Sequence, residues 1–299
     1  MGGTLDEKEF RILTALEERR ARSLTQREIA AAAALSVGTV NRAMADLHDR
    51  GLAVEGMLTD LGLQALEPYR VKRAVLIAAG FGSRLVPITL NTPKPLIRVR
   101  GRRIIDSLLD AVLDAGIEEV YVVRGYLAEQ FDQLRYQYPS IKFIENPFYN
   151  EANNISSIVA AGAVLENAYV LESDLLLYNP KLIAKYQYSS NYLGVPVKVT
   201  DDWCFETRRG IITNLSVGGT NCHHMFGISY WTEEDGRKLA NDVLSTFAMP
   251  GGKERYWDEV ALRYFAHNYE VRVRECTFDD VIEIDTYREL QTLDHAYVV

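Results

Sequence analysis

The stretch Val75–Pro95, VLIAAGFGSRLVPITLNTPKP, decides how the rest of this chain is to be read. Val75-Leu76-Ile77-Ala78-Ala79 is a continuous apolar run of the kind buried in a parallel sheet. The run breaks at Gly80 and again at Gly82, and glycines let backbone N–H groups approach a large anion with no Cβ in the way. Arg84 follows at once, and Lys94 sits between Pro93 and Pro95, which stiffen the segment on both sides. A nucleoside triphosphate is the simplest ligand to want a strand, a glycine loop and two placed cations. Either glycine alone would be an ordinary turn, so the specificity lies in the whole string. It is not a Walker A loop, because no Gly-Lys-Ser/Thr follows. It is not the dinucleotide fingerprint either, because Arg84 and Pro87 stand where a third glycine and a helix would be.

Outward from this stretch, residues 71–299 alternate between strands and helices. Arg103–Ala115 carries Ile104, Ile105, Leu108, Leu109, Val112 and Leu113 on one helical face and stops at Gly116. Strands are predicted at Glu119–Val123, Ile141–Glu145 and Tyr169–Glu172, with helices at Leu127–Tyr136 and Ile155–Leu165 between them. That alternation predicts an α/β fold: a doubly wound, mostly parallel, Rossmann-like sheet with ligands at the carboxyl ends of its strands. Antiparallel additions follow at Val195–Thr200, Gly210–Val217 and Met225–Trp231, with turns at Arg208-Arg209-Gly210 and Gly218-Gly219. Helices at Glu233–Thr246 and Tyr256–Asn268 and a strand at Tyr269–Cys276 complete the pattern.

Residues 1–70 form a separate, helical unit. Phe10, Leu13 and Leu16 recur at helical spacing, and Thr25-Gln26-Arg27-Glu28 has the form of a capping box. Leu35–Val40 makes a turn and starts a third helix, which Gly51 stops. The three helices and the segment Leu52–Gly62 resemble a winged helix-turn-helix, whose third helix would offer Thr39, Asn41 and Arg42 to DNA. The unit carries nine basic and eleven acidic residues, Asp46 and Asp49 among the latter. That balance is poor for phosphate contacts and favours a packing or dimerisation module, a homodimer included, over an operator-binding one.

The composition is that of a soluble protein: 299 residues, 47% apolar, net charge −8. No apolar run approaches the roughly 20 residues of a membrane span, and MGGTLDEKEF lacks the shape of a signal peptide, so a cytoplasmic location is predicted. Cys204, Cys222 and Cys276 are scattered and suggest neither a disulfide framework nor a zinc site.

Two further strands end in acids: Val170-Leu171-Glu172-Ser173-Asp174 and Val281-Ile282-Glu283-Ile284-Asp285. Residues two apart share a face, so each pair can turn toward one pocket. Carboxylates from two distant segments beside a triphosphate suit Mg²⁺, which takes a few protein oxygens and completes its octahedron with phosphates. Glu172 and Glu283 read as supporting or exposed residues.

The string G-x-G-x-R-L followed by T-P-K-P resembles the signature of nucleotidyltransferases that activate sugar phosphates and phospho-alcohols. Over its length the part from Lys72 onward is similar to the bacterial CTP:phosphocholine cytidylyltransferases. The likeness rests on Leu76–Leu85, Gly125–Phe131, Asn153-Asn154, Trp203, Tyr256-Trp257-Asp258 and Glu283-Ile284-Asp285. It implies CTP plus phosphocholine, or a related phospho-amine such as phosphoethanolamine or aminoethylphosphonate, giving CDP-choline or its analogue and pyrophosphate. It also implies that Asp174 and Asp285 hold the catalytic Mg²⁺.

In that reading Gly80, Gly82 and Ser83 cradle the β- and γ-phosphates and Arg84 neutralises the pyrophosphate. Lys94 bridges the α-phosphate and the incoming phosphate, and backbone at Ala78, Ala79, Gly125 and Tyr126 meets the pyrimidine. Asn154, Trp203, Tyr256, Trp257 and Asp258 form the acceptor pocket, since aromatic faces with an acid nearby suit a quaternary ammonium. Core packing is the alternative for each tryptophan, most strongly for Trp231. The chain departs from the family in its N-terminal unit and in Glu172, where an aspartate is expected. Two other readings stay open: a sugar-1-phosphate nucleotidylyltransferase using UTP or dTTP, and a DNA-binding regulator whose transferase domain senses a ligand.

Overall fold

The computed structural model describes residues 4–298 and divides into two units, one running to Arg70 together with Tyr186–Tyr188, the other taking in Val71–Lys185 and the chain from Ser189 onward. The first unit contains α1 (Glu7–Glu18), α2 (Gln26–Ala33), α3 (Val37–Asp49), a hairpin of β1 (Ala53–Val54) and β2 (Met57–Leu58), and α4 (Asp60–Leu66). Its helices begin where side chains can satisfy their free N–H groups. Asp6 with Glu9 and Thr25 with Glu28 form capping boxes, and Ser36 caps α3. Ile12, Leu13, Leu16, Ile29, Val40 and Leu47 are fully buried between the helices. Tyr69 and Tyr188 stack at 5.5 Å, with Phe10 tilted against both. Arg20–Asp60, Arg22–Glu28, Arg50–Glu9 and Arg70–Glu67 pair within the unit, so four of its nine basic residues are already balanced by carboxylates.

The second unit starts with β3 (Arg73–Ala78). A two-residue hairpin, β4 (Arg98–Val99) and β5 (Arg102–Arg103), leads into α5 (Ile104–Asp114). Then come β6 (Glu119–Arg124), β7 (Lys142–Glu145), α6 (Ile155–Ala161), β8 (Ala168–Glu172) and β9 (Leu175–Leu177). Two long strands follow, β10 (Asn191–Arg208) and β11 (Ile211–Trp231), and then α7 (Glu233–Phe247), α8 (Trp257–Glu259), β12 (Arg272–Glu275), β13 (Val281–Glu283) and α9 (Tyr287–Leu293). Seven strands form one sheet in the order β10-β12-β11-β8-β3-β6-β7. Neighbours among β8, β3, β6 and β7 run parallel, and β11 joins β8 antiparallel. The fold is therefore α/β with a mostly parallel core and antiparallel additions.

The continuous apolar run of β3 is explained by burial on both faces. Ala74, Leu76 and Ala78 enter the core under α5, while Val75 and Ile77 enter the core under α6, α7 and α8. Burying each large aliphatic side chain stabilises the sheet by about 1.5–3 kcal/mol.

Three expectations from periodicity differ from the structure. The three antiparallel strands are two, because Gly218-Gly219 lies inside β11 and is not a turn. Gly218 adopts φ +75°, and the pairing steps from Thr200↔Gly219 to Trp203↔Val217, so that Asp201 and Asp202 of β10 bulge opposite it. Leu127–Tyr136 is wound as 3₁₀ turns from Ala128 onward, entered through left-handed Leu127. Tyr256–Asn268 breaks into α8, a π turn at Val260–Tyr264 and a 3₁₀ turn at Ala266–Asn268. No helix among the described residues is long and apolar enough to cross a membrane.

Candidate active site

At the carboxyl end of β3 the chain passes through Ala79 and Gly80 into a loop whose turning point is Gly82, in the left-handed region at φ +62°. A Cβ on Gly82 would lie 3.0 Å from both Lys94 Cβ and Thr89 Cγ2, so glycine also permits the loop to rest on the lysine segment. The Thr89 hydroxyl donates to the Gly82 carbonyl at 2.9 Å. Tyr126 ties the assembly from behind: its N–H donates to the Ala79 carbonyl at 3.1 Å and its hydroxyl to that of Thr89 at 2.9 Å. Gly125 is required for close approach, since a Cβ there would lie 2.5 Å from Tyr149 Cβ.

The two acidic strands are brought together by backbone pairing. Ser173 N–H donates to the Ile77 carbonyl, which fixes the end of β8 beside β3. Strands β9 and β13 pair antiparallel with Glu283 opposite Leu175, and Ile284 N–H donates to the Asp174 carbonyl. Asp174 and Asp285, 111 positions apart, thereby face one another. Lys94 Nζ lies between them, 2.9 Å from Asp174 Oδ2 and 3.1 Å from Asp285 Oδ1, and Arg84 reaches Asp285 Oδ2 at 2.8 Å.

Burial works against the Lys94 charge, but the two carboxylates outweigh it and hold its pKa above the ordinary lysine value. Asp174, Glu283 and Asp285 each place an oxygen within 4.8 Å of the others, and Asp174 Oδ1 is buried with no hydrogen-bond partner. An unpartnered buried carboxylate oxygen in an all-oxygen cluster fits a hard divalent cation. Burial, with Asp174 and Asp285 beside it, pushes the Glu283 carboxyl up to about 9.

A cleft of about 380 Å³ opens at this point, floored by Ala78–Arg84 and Lys94 and walled by Asn153, Asn154, Glu172, Asp174, Tyr256 and Asp285. Of the residues picked out by sequence, Gly125 and Tyr126 support the loop from outside the lining. Trp203 touches the cleft wall through Tyr256, edge to face at 5.5 Å. Trp257 and Asp258 stand behind the wall, 1% and 5% exposed. The Trp257 ring stacks on Tyr192 and meets Trp231 edge-on, while its Nε1–H donates to Glu172 Oε1 at 3.1 Å. Asp258 accepts a short hydrogen bond from the Tyr192 hydroxyl, and burial pushes its carboxyl up to about 7. Trp231 is fully buried core.

Glu172, read from sequence as supporting or exposed, lines the cleft, and burial together with Asp174 and Asp258 pushes it up to about 8. The lining also includes Phe81, Tyr149 and the buried group Asn146, Ser156 and Ser157, which sequence reasoning missed. Asn146 Nδ2 donates to both serine hydroxyls, a pairing across ten and eleven positions that leaves no local signal.

A parallel-cored α/β sheet with a glycine loop, a lysine and paired acids at its strand ends defines a nucleotidyltransferase. A MobA-like NTP transferase domain model matches residues 74–194, and a winged helix-turn-helix DNA-binding model matches residues 5–53. The 2-aminoethylphosphonate cytidylyltransferase of Lancefieldella rimae is 35% identical over 229 residues, covering 75% of this chain and 93% of that one. The choline-phosphate cytidylyltransferase of Haemophilus influenzae is 28% identical over 216 residues, covering 71% and 91%. Among solved structures, the CTP:phosphocholine cytidylyltransferase of Streptococcus pneumoniae aligns with a TM-score of 0.70 at 27% identity, over 76% of this chain and 99% of that one. The chain belongs to the cytidylyltransferases of phosphonates and phosphate esters within the NTP-transferase family, here carrying an N-terminal winged helix-turn-helix.

Proposed function

We propose that this enzyme transfers a cytidylyl group from CTP to a small phosphonate or phosphate monoester carrying an amine, with 2-aminoethylphosphonate as the first candidate and phosphocholine as the second. The observation that carries the reading is the Lys94 ammonium held between Asp174 and Asp285 directly beneath the glycine loop. An oxyanion of the acceptor attacks the α-phosphorus of CTP, the new P–O bond forms as the bond to the β-phosphate breaks, and pyrophosphate leaves. The acceptor oxygen is already ionised at neutral pH, so no protein nucleophile or base is needed. Catalysis is then positioning and charge neutralisation.

In this reading the amides of Gly80, Gly82 and Ser83 receive the β- and γ-phosphates, and Arg84 stands beside the leaving pyrophosphate. Lys94 spans the α-phosphate and the attacking oxygen, two anions it must bring together. Ala78 and Ala79 supply backbone to the pyrimidine, and the Gly125-Tyr126 turn keeps that backbone in place. Asp174 and Asp285, with Glu283 beside them, would hold Mg²⁺, which supplies charge neutralisation on the triphosphate when bound. Asn154, Glu172 and Tyr256 face the acceptor, while Trp203, Trp257 and Asp258 hold that wall.

For the N-terminal unit the internal pairing of Arg20, Arg22 and Arg50 and the acids on α3 support packing or self-association over tight operator binding.

Pyrophosphate release tests the reading, crossing four NTPs with 2-aminoethylphosphonate, phosphoethanolamine, phosphocholine and glucose-1-phosphate in the presence of Mg²⁺. Release with CTP and an amine-bearing acceptor is expected. Release only with UTP or dTTP and the sugar phosphate would overturn it.

A further inference from the structure

We propose that Glu172 is the specificity-determining residue of the acceptor pocket and that it selects a primary ammonium over a quaternary one. The inference rests on the cytidylyl-transfer reading above. Strand β8 delivers Glu172 to the carboxyl end of the sheet, where its side chain lines the same cleft as Lys94 and Asp174. One of its oxygens is fixed: Oε1 accepts from Trp257 Nε1 at 3.1 Å and from Asn154 Nδ2 at 3.3 Å. Oε2 accepts no hydrogen bond from the described residues, so the carboxyl group is oriented by one oxygen and offers the other.

The room for this longer acid is made on the neighbouring strand. A Cβ on Gly227 of β11 would lie 2.4 Å from Glu172 Cγ and 2.7 Å from Glu172 Cβ, so the glutamate lies across a position that must be bare. The rings of the tryptophan wall, by contrast, do not form a cage, and the other aromatic lining residues, Phe81 and Tyr149, pack on each other beside the glycine loop. Trp257 turns its N–H edge to Glu172, and its ring is packed among Tyr192 and Trp231. Tyr256 alone among these rings lines the cleft, with Trp203 edge-on behind it.

A quaternary ammonium has no N–H and is held by several aromatic faces at once. A primary ammonium has three donors and is held best by charged oxygen. One oriented carboxyl oxygen, with the N–H edge and not the face of Trp257 turned toward its group, matches the second chemistry. Three methyl groups on the nitrogen would remove the hydrogen bond and leave the free oxygen of Glu172 without a donor, a difference of about ten- to a hundredfold in selectivity.

The test is kcat/KM for 2-aminoethylphosphonate and for phosphocholine, measured on the parent enzyme and on Glu172→Gln, Glu172→Asp and Gly227→Ala. The parent should favour the primary amine by about ten- to a hundredfold. Glu172→Gln and Gly227→Ala should lose most of that preference through a raised KM for the amine acceptor, and Glu172→Asp, which keeps a carboxyl group, should recover part of it. The rise in melting temperature given by CTP with Mg²⁺ reports that each variant is folded. If Glu172→Gln keeps the parent's preference while still stabilised by CTP, or if the parent favours phosphocholine, the selection role is overturned. If the parent releases pyrophosphate with neither acceptor, the transfer reading itself falls and takes this inference with it. Should Glu172→Gln fail to fold, the Gly227→Ala and Glu172→Asp preferences decide: an unchanged ratio in both would overturn the role.

Discussion

Replacing Lys94 with methionine removes one charge from the middle of the site while keeping the length of the side chain. The ammonium is 2.9 Å from Asp174 and 3.1 Å from Asp285, whose nearest ligand oxygens lie within 4.8 Å of each other. At that spacing and an effective dielectric of about 20, two uncompensated carboxylates repel by roughly 3 kcal/mol. Proton or ion uptake relieves part of this, leaving a loss of about 1–3 kcal/mol and a melting temperature lower by several degrees, since about 2–4 °C accompany each kcal/mol in a domain of this size. Mg²⁺ should then raise the melting temperature of Lys94→Met more than that of the parent, because a dication takes the space the ammonium held. Turnover should fall by about 10²–10³, the cost of removing one cationic donor from a developing oxyanion. Pyrophosphate release and calorimetry on the two proteins read both effects. Turnover within about threefold of the parent, equivalent to less than 1 kcal/mol of barrier, would refute the placing of Lys94 at the reacting centre.

Gly82→Ala must place a Cβ 3.0 Å from Lys94 and Thr89 at φ +62°, so a stability loss of about 1–2 kcal/mol with a raised KM for CTP is expected; unchanged values for both would contradict the tight loop. Trp257→Phe keeps the buried ring but removes the donor to Glu172, so KM for the acceptor should rise and KM for CTP should not; equal effects on both substrates would count against it. Asp258 has its folded pKa raised to about 7 from an ordinary 3.8, so its neutral form is favoured by folding. That contribution is whole below about pH 4 and is lost as pH rises to 7. Asp258→Asn should therefore gain stability relative to the parent between pH 5 and 8, by a few kcal/mol at most, and urea titrations giving the same difference at both pH values would refute it. The full chain should bind random duplex DNA with a dissociation constant above roughly 10⁻⁵ M at physiological salt; submicromolar, steeply salt-dependent anisotropy changes would overturn the packing reading of the N-terminal unit.

What was legible beforehand was whatever local physics writes into adjacent residues. The run Val75–Ala79 announced a strand buried on both faces, and Thr25 with Glu28 announced a helix start, because both signals span a few positions. Gly80, Gly82, Arg84 and Lys94 could be placed at one strand end for the same reason. The three tryptophans, alike in sequence, part company only in three dimensions. Trp231 is core, Trp257 is core with its N–H edge turned to Glu172, and Trp203 stands behind Tyr256.

Glu172 reads from sequence as a supporting or exposed residue because its partners Asn154, Trp257 and Gly227 lie 18, 85 and 55 positions away, and no local pattern records such a meeting. Gly218-Gly219 reads as a turn from sequence because a left-handed glycine serves opposite a bulge as readily as in a turn, and only the pairing of β10 with β11 decides between them.

The most direct measurement of cytidylyl transfer at this cleft is ³¹P NMR of the purified enzyme with CTP, Mg²⁺ and 2-aminoethylphosphonate. A new pair of coupled signals joining the α-phosphorus of the cytidylyl group to the phosphonate, growing with free pyrophosphate and absent in Lys94→Met, is the expected result. Unchanged CTP, or CMP without any phosphonate-linked signal, would contradict it.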